Sequence, residues 1–357
     1  MSETLGALIG LSNVVTRALS RVPAAPDPDA LAGERDRLHT LASRALEGHD
    51  SFIHDAVVLG RRVRLFTNSH HLADFWKDDF PSEGEWRALT GERVARDPAL
   101  TVYAAIHVQD EGQSSCTSAR RNEAYLFNTS YYADLRACAL ESLGRILAPE
   151  GIRILHGGAV EAEGRGLLML YPKEILHPTP VWGLMEASSS RFIADGWVAV
   201  DSKGAMRAVE KSLYFRASVV AGYPEIAPRI LAAKYENVPP ARTDGVAAGQ
   251  ALYEQALRGD SQQALRSLPA DLARGLLARL AASADARALA DPVRLFGKSR
   301  VLRDPVPVAS VFSLKAETGQ PVAETHVDGF ACPAYEVRAG GVGGHPRELA
   351  RIIGSAR

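Results

Sequence analysis

Residues 155–168 read LHGGAVEAEGRGLL, and this stretch gives the clearest indication of the fold. Apolar runs on either side of a glycine-containing turn at 163–166 predict two short β-strands. The residues just before the stretch are also apolar and strand-prone, and the second run continues beyond it. The sequence therefore predicts a β-sheet here, with strands over 153–155, 158–161 and 167–171.

A small mixed α/β module is predicted upstream of this sheet, over residues 50–128. Apolar residues alternate with polar ones there, which predicts a hairpin within 56–66 and a strand over 100–108. Before the module, apolar residues recur with a period near 3.6 over 4–22, and a second helix is expected over 30–46. The first part of the chain should thus combine helices with a short sheet.

Downstream of the module, a long amphipathic helix is predicted over about 130–148. Further strands are expected at 191–194 and 197–201, further helices near 246–258 and 269–289, and a hairpin-like region at 308–314 and 331–338. We therefore predict an α/β protein with a mixed-sheet core and a helical region towards its C-terminal end. Its three parts are a helical segment with the small α/β module, the core, and a β/loop extension, over 1–128, 129–315 and 316–357.

Composition and charge narrow the functional classes. The chain has 357 residues, and its 41 Lys and Arg nearly balance its 42 Asp and Glu, which gives a net charge of -1. Nucleic-acid-binding proteins usually carry a basic excess, so this balance disfavours such a role. No run approaches the roughly 20 apolar residues that a membrane-spanning helix needs, and the start of the chain lacks a basic signal-peptide region. We expect a cytoplasmic protein that binds neither nucleic acid nor membranes.

The cysteines and the paired histidines do not indicate a metal site. Cys116, Cys138 and Cys332 are widely spaced and lack the CxxC pattern of zinc ligands, so we interpret them as small buried hydrophobic residues. His70 and His71 lie near several aspartates, but adjacent side chains diverge on a helix or a strand. The usual i, i+4 spacing of metal ligands is missing, and no metal centre is predicted.

The stretch at 155–168 resembles the HPr kinase/phosphorylase family and the related fold of ATP-dependent phosphoenolpyruvate carboxykinase. In those proteins a His-Gly or His-Ala precedes two short strands separated by a glycine turn, and the second strand runs into a phosphate-binding loop. The segments 192–201, 210–216, 234–238 and 291–298 also look like the family, so the resemblance covers about residues 125–315. It implies an HPr-kinase-like mixed sheet, ATP and Mg²⁺ as ligands, and phosphorylation of a serine hydroxyl in a protein, peptide or small molecule.

The phosphate-binding loop departs from the family pattern. A Walker A loop should begin near Tyr171, but residues 171–179 read YPKEILHPT. Glu174 and Leu176 stand where glycines are expected, His177 stands for the lysine, and Pro178 for the hydroxyl residue. Glycines allow the backbone N–H groups to surround phosphates, whereas proline removes one donor and glutamate adds a like charge. We expect this loop not to bind a nucleoside triphosphate in the usual way.

The resemblance also implies site residues. His156 matches the family histidine beside the phosphate, and a pKa near neutrality suits that residue to acid–base chemistry. Asp195 matches the first of two acidic residues that support Mg²⁺ and remove the proton of the acceptor hydroxyl, while Gly196 replaces the second. Either side chain is also compatible with a purely structural hydrogen bond at a strand end. The candidates for contacts with the cofactor are Lys173, His177, Thr179 and Arg216.

Two functional predictions follow from these changes. The first is a kinase-like pseudoenzyme without a cofactor that acts as a binding or regulatory subunit for a protein or peptide, including a catalytically intact relative, in a homo- or hetero-oligomer. The second is an active enzyme of the HPr-kinase-like class. It would be a serine-hydroxyl phosphotransferase with an unorthodox site for ATP and Mg²⁺, or a repurposed catalyst that uses His156, His177 and Asp195.

Overall fold

The chain folds into two compact units. The computed structural model describes residues 29, 33–47, 51–109, 111–171, 180–186, 189–230, 233–238, 246–257, 269–283, 285–315, 322–338 and 350–353. Of these, the residues up to Ile154 together with Val209–Lys211 form the first unit, and those of Leu155–Ala208 and from Ser212 onward form the second. The helix predicted over 4–22 lies outside the described residues.

A five-stranded mixed sheet forms the centre of the first unit. Its strands are β1 (Phe52–Val58), β2 (Arg61–Thr67), β3 (Leu100–Ala105), β4 (Ser114–Ser118) and β5 (Glu123–Phe127). They lie in the order β1-β2-β3-β5-β4, with β2, β3 and β5 parallel and the outer pairs antiparallel. The hairpin predicted within 56–66 is confirmed. Leu59 and Gly60 connect its strands with φ of 53° and 76°, as a type I′ turn requires.

Helices cover this sheet and complete the α/β module. They are α1 (Glu34–Glu47), α2 (His70–Asp79), α3 (Glu83–Thr90) and α4 (Tyr132–Leu147). α1 buries Leu38 and Ala42 against Tyr125 and Phe127 of β5. The helix predicted over 130–148 is confirmed as α4, and it packs on β3, β4 and β5. The sequence grouped this helix with the core at 129–315, whereas its contacts place it in the first unit.

Two asparagines fix the loop that follows β3. The amide of Asn68 pairs with both the N–H and the carbonyl of Ile106, each at 2.9 Å. The amide of Asn128 accepts from the N–H of Val108 at 2.8 Å and donates to the carbonyls of Val108 and Glu111 at 3.0 and 2.7 Å. Side-chain amides therefore satisfy backbone groups that have left the sheet.

A seven-stranded sheet dominates the second unit. Its strands are β6 (Arg153–Ala162), β7 (Arg165–Leu170), β8 (Ser190–Val200), β9 (Ala205–Ala208), β13 (Val306–Lys315), β14 (Val322–Thr325) and β15 (Ala334–Arg338). They lie in the order β14-β15-β13-β7-β6-β8-β9, and β9 also pairs with the start of β13. The start of β13 also lies close to Gly166 of β7. A Cβ at Gly166 would lie 2.2 Å from the carbonyl oxygen of Pro307 on β13, so only glycine fits there.

Three strand predictions need correction. Residues 153–155 and 158–161 belong to the single strand β6. Residues 191–194 and 197–201 largely form the single strand β8, which passes through Gly196 at φ 111°, a conformation that other residues rarely adopt. β13 and β15 are parallel neighbours and not a hairpin, because β14 lies between them in sequence and pairs antiparallel with β15.

A three-stranded sheet and five helices complete the second unit among the described residues. The strands β10 (Leu213–Arg216), β11 (Lys234–Glu236) and β12 (Arg287–Ala290) lie in the order β10-β12-β11. The helices are α5 (Pro180–Leu184), α6 (Ala227–Ile230), α7 (Val246–Ala256), α8 (Ala270–Ala282) and α9 (Pro292–Phe296). The helix predicted over 269–289 ends early, at Ala282. The residues of β12 form a strand because β10 and β11 both supply partners to them.

The protein is thus of the mixed α/β class, as the sequence predicts. All three cysteines are free thiols. Cys116 and Cys138 are buried as predicted, whereas Cys332 is partly exposed. Within the ranges given above, no helix is both long and apolar enough to cross a membrane.

Candidate functional site

The residues predicted to be catalytic lie on neighbouring strands of the seven-stranded sheet. His156 is on β6, Asp195 is on β8, and β6 lies between β7 and β8. Tyr171 directly follows β7, opposite His156, and its N–H donates to the His156 carbonyl at 3.0 Å. The phenol of Tyr171 donates to Asp195 Oδ1, also at 3.0 Å. The structure therefore brings His156 and Asp195 to one place and joins them through Tyr171.

His156 is the exposed member of this group. Its Nδ1 lies 3.3 Å from the carbonyl oxygen of Tyr171, which can only accept, so this bond places the proton on Nδ1. In the neutral ring Nε2 then carries the lone pair. The rings of Tyr171 and Trp197 meet the imidazole edge-on, with centroid distances of 5.8 and 5.4 Å. Two aromatic rings and one backbone bond thus fix the orientation of the imidazole.

Asp195 is buried, with an exposed fraction of 6%. Tyr171 and Trp197 are buried as well, at 8% and 7%. A carboxylate in such surroundings is stable only when hydrogen bonds replace its lost water, and the phenol of Tyr171 supplies one of them. The site therefore combines the exposed imidazole of His156 with the buried carboxyl group of Asp195, which accepts a hydrogen bond from Tyr171.

Gly157 and Gly158 are needed next to His156 because a side chain at either position would collide with its neighbours, and not because of unusual backbone angles. A Cβ at Gly157 would lie 2.2 Å from the carbonyl oxygen of Met169 on the neighbouring strand. A Cβ at Gly158 would lie 2.1 Å from the phenol oxygen of Tyr171 and 2.5 Å from Cγ2 of Val181. The Gly-Gly pair after His156 thus has two roles, since it allows close strand pairing and leaves room for the phenol.

An ion pair ties the same strands together farther along. Arg191 on β8 donates from Nε to Oε1 of Glu161 on β6 at 3.1 Å, and its Nη2 donates to Oε2. The hydrogen bond to Glu161 raises the pKa of Arg191 above its ordinary value. Glu161 is largely buried and Arg191 lies at the surface. This pair stabilises the β6–β8 contact that holds Asp195 near His156.

The other predicted site residues are distributed differently. Arg216 ends β10 in the three-stranded sheet, where it pairs with Arg287 of β12. Lys173, His177 and Thr179 lie in the segment 172–179, outside the described residues. The segment begins directly after Tyr171 and ends directly before α5. The described part of the site therefore consists of residues on β6 and β8 together with Tyr171.

The described residues do not fit a magnesium–nucleotide site of the expected kind. Among them, no three His, Cys, Asp or Glu side chains lie close enough to hold a metal ion. Magnesium binding uses carboxylate oxygens together with substrate phosphates. Asp195 has Gly196 in place of the second acid, and its Oδ1 accepts from Tyr171.

The sequence reasoning missed Tyr171 and Trp197 as members of the site. The sequence predicts Tyr171 at the end of a strand and at the start of the expected Walker A loop, and only its register opposite His156 places the phenol near Asp195. Trp197 carried one usable signal, its position two residues after Asp195, because residues two apart in a strand tend to share a face. Both aromatic residues are therefore structural findings.

Comparison with known proteins adds no assignment to this geometry. The chain matches no protein-family model, and no curated protein matches it. The resemblance to the HPr kinase/phosphorylase family therefore stays a prediction that depends on the motifs quoted above.

Proposed function

We propose that this protein is a kinase-like binding or regulatory subunit that does not transfer phosphate and that holds a protein or peptide partner. One observation carries the proposal, the hydrogen bond from the buried phenol of Tyr171 to the buried carboxylate of Asp195. A catalytic base or magnesium ligand must present its oxygen to a substrate or an ion. Here the chain's own tyrosine contacts that oxygen.

The surrounding packing supports the same conclusion. Gly158 leaves space that the phenol of Tyr171 fills, with Val181 on the far side. An acceptor hydroxyl could reach Asp195 Oδ1 along this direction only by displacing the phenol, which would break a hydrogen bond to a charged group. Such a bond contributes about 1.5–3 kcal/mol. The loop that follows also lacks the glycines and the lysine of a phosphate site.

Binding to a partner fits the exposed part of the site. The imidazole of His156 is exposed and oriented, and it can hydrogen-bond to a peptide group of a partner. A partner of this kind agrees with the protein or peptide substrates implied by the family resemblance. Native mass spectrometry of the full chain, alone and with candidate partners, would measure whether homo- or hetero-oligomers form.

Isothermal titration calorimetry tests the loss of nucleotide binding. ATP, ADP and pyrophosphate are each titrated with Mg²⁺ into the full chain, and no heat of specific binding is expected. The matched variant Tyr171→Phe, which removes only the phenol oxygen, should behave in the same way because the loop residues are unchanged. Micromolar binding of any of these ligands to the natural sequence would refute the proposal.

The alternative is an active phosphotransferase, and the geometry of His156 favours it. When Nδ1 is protonated, the lone pair of Nε2 lies on an exposed ring and is suited to act as a general base. Incubation with labelled ATP and candidate acceptors would detect such an activity. His156→Ala and Asp195→Ala should then each abolish it, and an activity unchanged by both would originate elsewhere in the protein.

A further inference from the structure

Four ionisable side chains form a buried cluster in the first unit. Asp79 is the last residue of α2, Tyr132 and Arg136 project from α4, and Glu210 belongs to the separate segment Val209–Lys211. All four are buried, and Asp79 is completely inaccessible. Three separate pieces of the chain therefore contribute ionisable groups to one dry site. We call this group the Asp79 cluster.

The two acids of the Asp79 cluster, Asp79 and Glu210, have different partners. Arg136 binds both oxygens of Glu210 through Nε and Nη2, with 2.5 Å between Nη2 and Oε2. Asp79 Oδ2 accepts from the phenol of Tyr132 at 2.8 Å and lies 3.4 Å from Arg136 Nε. Asp79 Oδ1 is buried and has no hydrogen-bond partner. Glu210 is thus the bidentate counter-ion of Arg136, and Asp79 is the surplus acid.

The charge balance of the Asp79 cluster requires one more positive charge. One guanidinium faces two carboxyl groups, so the fully ionised cluster would bury a net charge of about -1, at a large cost in free energy. Among the described residues, Asp79 Oδ1 has no hydrogen-bond donor to stabilise a negative charge, whereas both oxygens of Glu210 are bound by Arg136, so Asp79 is the acid that takes the extra proton. Burial, with the nearby Glu210 charge as a second cause, raises the pKa of Asp79 well above its ordinary value.

We propose that the Asp79 cluster binds one proton at neutral pH, held by Asp79, and that this proton keeps the segment Val209–Lys211 bound in the first unit. With the proton present, Asp79 is neutral and Glu210 balances Arg136. Without it, two carboxylates would face one guanidinium in a site that excludes water. The cluster then acts as a latch that a proton closes.

The segment Val209–Lys211 makes two further contacts that should break when the segment is released. The N–H of Lys211 donates to the carbonyl of Asp79 at 2.8 Å. The ammonium of Lys211 lies 2.8 Å from Oε1 of Glu85 on α3, at the surface. The charged and titratable groups that meet Asp79 are therefore Arg136 and Tyr132 from α4 and Glu210 from the segment, with the Lys211–Glu85 pair beyond them.

The direction of the pH dependence follows from the raised pKa of Asp79. Release of the segment exposes Asp79 to water, where its pKa returns to about 4. The open form therefore loses the proton at a lower pH than the closed form does. The latch is tightest below about pH 4 and weakens as pH rises towards the pKa in the closed form.

Infrared difference spectroscopy detects the proton directly. The full chain is compared with Asp79→Asn at neutral pH, and the natural sequence should show the carbonyl band of a protonated carboxylic acid that the variant lacks. Asparagine has nearly the shape of the neutral acid and cannot ionise. If no such band separates the two spectra, the proton is not there and the proposal is wrong.

Amide hydrogen exchange tests the latch. Protection of a peptide that contains Lys211, corrected for the intrinsic exchange rate, should fall by up to about tenfold per pH unit between pH 5 and 8. Asp79→Asn should remove this dependence. Glu210→Gln should remove it as well, because Asp79 then becomes the counter-ion of Arg136 and ionises.

Asp55→Asn is the matched control for these variants. It changes a carboxylate of the same unit outside the Asp79 cluster, and it should keep the slope of the natural sequence. A flat profile for the natural sequence would overturn the latch, and so would an unchanged slope in both Asp79→Asn and Glu210→Gln.

Discussion

Replacing Gly158 with alanine should destabilise the second unit by about 2.5–6 kcal/mol. The added methyl group would lie 2.1 Å from the phenol oxygen of Tyr171 and 2.5 Å from Cγ2 of Val181, where ordinary contacts need about 3.5–4 Å. The phenol would have to move by more than about 1 Å, and its hydrogen bond to Asp195 would break. Overpacking costs about 1–3 kcal/mol, and the lost bond to a buried charged group costs about 1.5–3 kcal/mol.

The double variant with Tyr171→Phe separates these two contributions. Tyr171→Phe alone removes the hydrogen bond to Asp195 and should cost about 1.5–3 kcal/mol. In the combined variant the phenol oxygen is absent, so the methyl group at Gly158 meets one less clash and breaks no bond to Asp195. The double variant should therefore be destabilised by about 0.5–3 kcal/mol less than the sum of the two single variants.

Hydrogen exchange of the amides in β6, β7 and β8 would measure the free energy of unfolding of this unit separately. Gly275→Ala is the matched control, because Gly275 lies on the exposed side of α8 and a Cβ there meets no atom within 4 Å. That change should stabilise the unit by about 0.5–1 kcal/mol. If Gly158→Ala had no cost, or if it added fully to Tyr171→Phe, the packing described around Asp195 would be refuted.

Three other predictions concern the first unit. The hydrogen bond from Arg64 lowers the pKa of Asp55, so this carboxylate stabilises the fold above about pH 4, and its contribution should disappear on acidification and be absent in Asp55→Asn. Asn128→Ala removes the amide that holds Val108 and should cost about 2–4 kcal/mol in urea unfolding. Ser82→Ala removes the cap of α3 and should cost about 1 kcal/mol by the same assay.

Different results would contradict each of these three. An unfolding free energy that does not decrease between about pH 5 and pH 3 relative to Asp55→Asn would show that the ion pair contributes nothing. A cost below about 0.5 kcal/mol for Asn128→Ala would mean that water replaces the amide. For Ser82, an unchanged stability in Ser82→Ala would contradict the role of the cap, and the control Ser82→Asp, which keeps a capping oxygen, should retain most of the stability.

Local sequence patterns are sufficient to predict a helix or strand whose conformation is determined by its own residues. The hairpin of β1 and β2 and the helix α4 follow from alternation and from a 3.6-residue period, and both are confirmed. β12 could not be predicted in this way. Its residues continue an Ala-rich helical pattern, and they form a strand because Leu213–Arg216 and Lys234–Glu236 pair with them from distant parts of the chain.

The candidate site shows the same limit. The family resemblance singled out His156 and Asp195, but their connection through Tyr171 depends on strand register and on the space left by Gly158. The pair Arg136–Glu210 joins residues 74 positions apart, and no periodic pattern in the sequence indicates it. Local patterns specify where strands and helices occur, whereas the buried polar contacts depend on which distant segments pack together.

The position of Glu210 in the chain has a consequence for synthesis. A ribosome delivers the residues of the first unit up to Ile154, then makes Leu155–Ala208 of the second unit, and only afterwards adds Glu210. Until then the bidentate bonds to Glu210 are absent, and Asp79, whose Oδ2 lies 3.4 Å from Arg136 Nε, can replace Glu210 as counter-ion. A nascent chain stalled before residue 209 should therefore hold Asp79 ionised against Arg136, and the arrival of Glu210 would exchange that pair for the protonated arrangement of the finished protein.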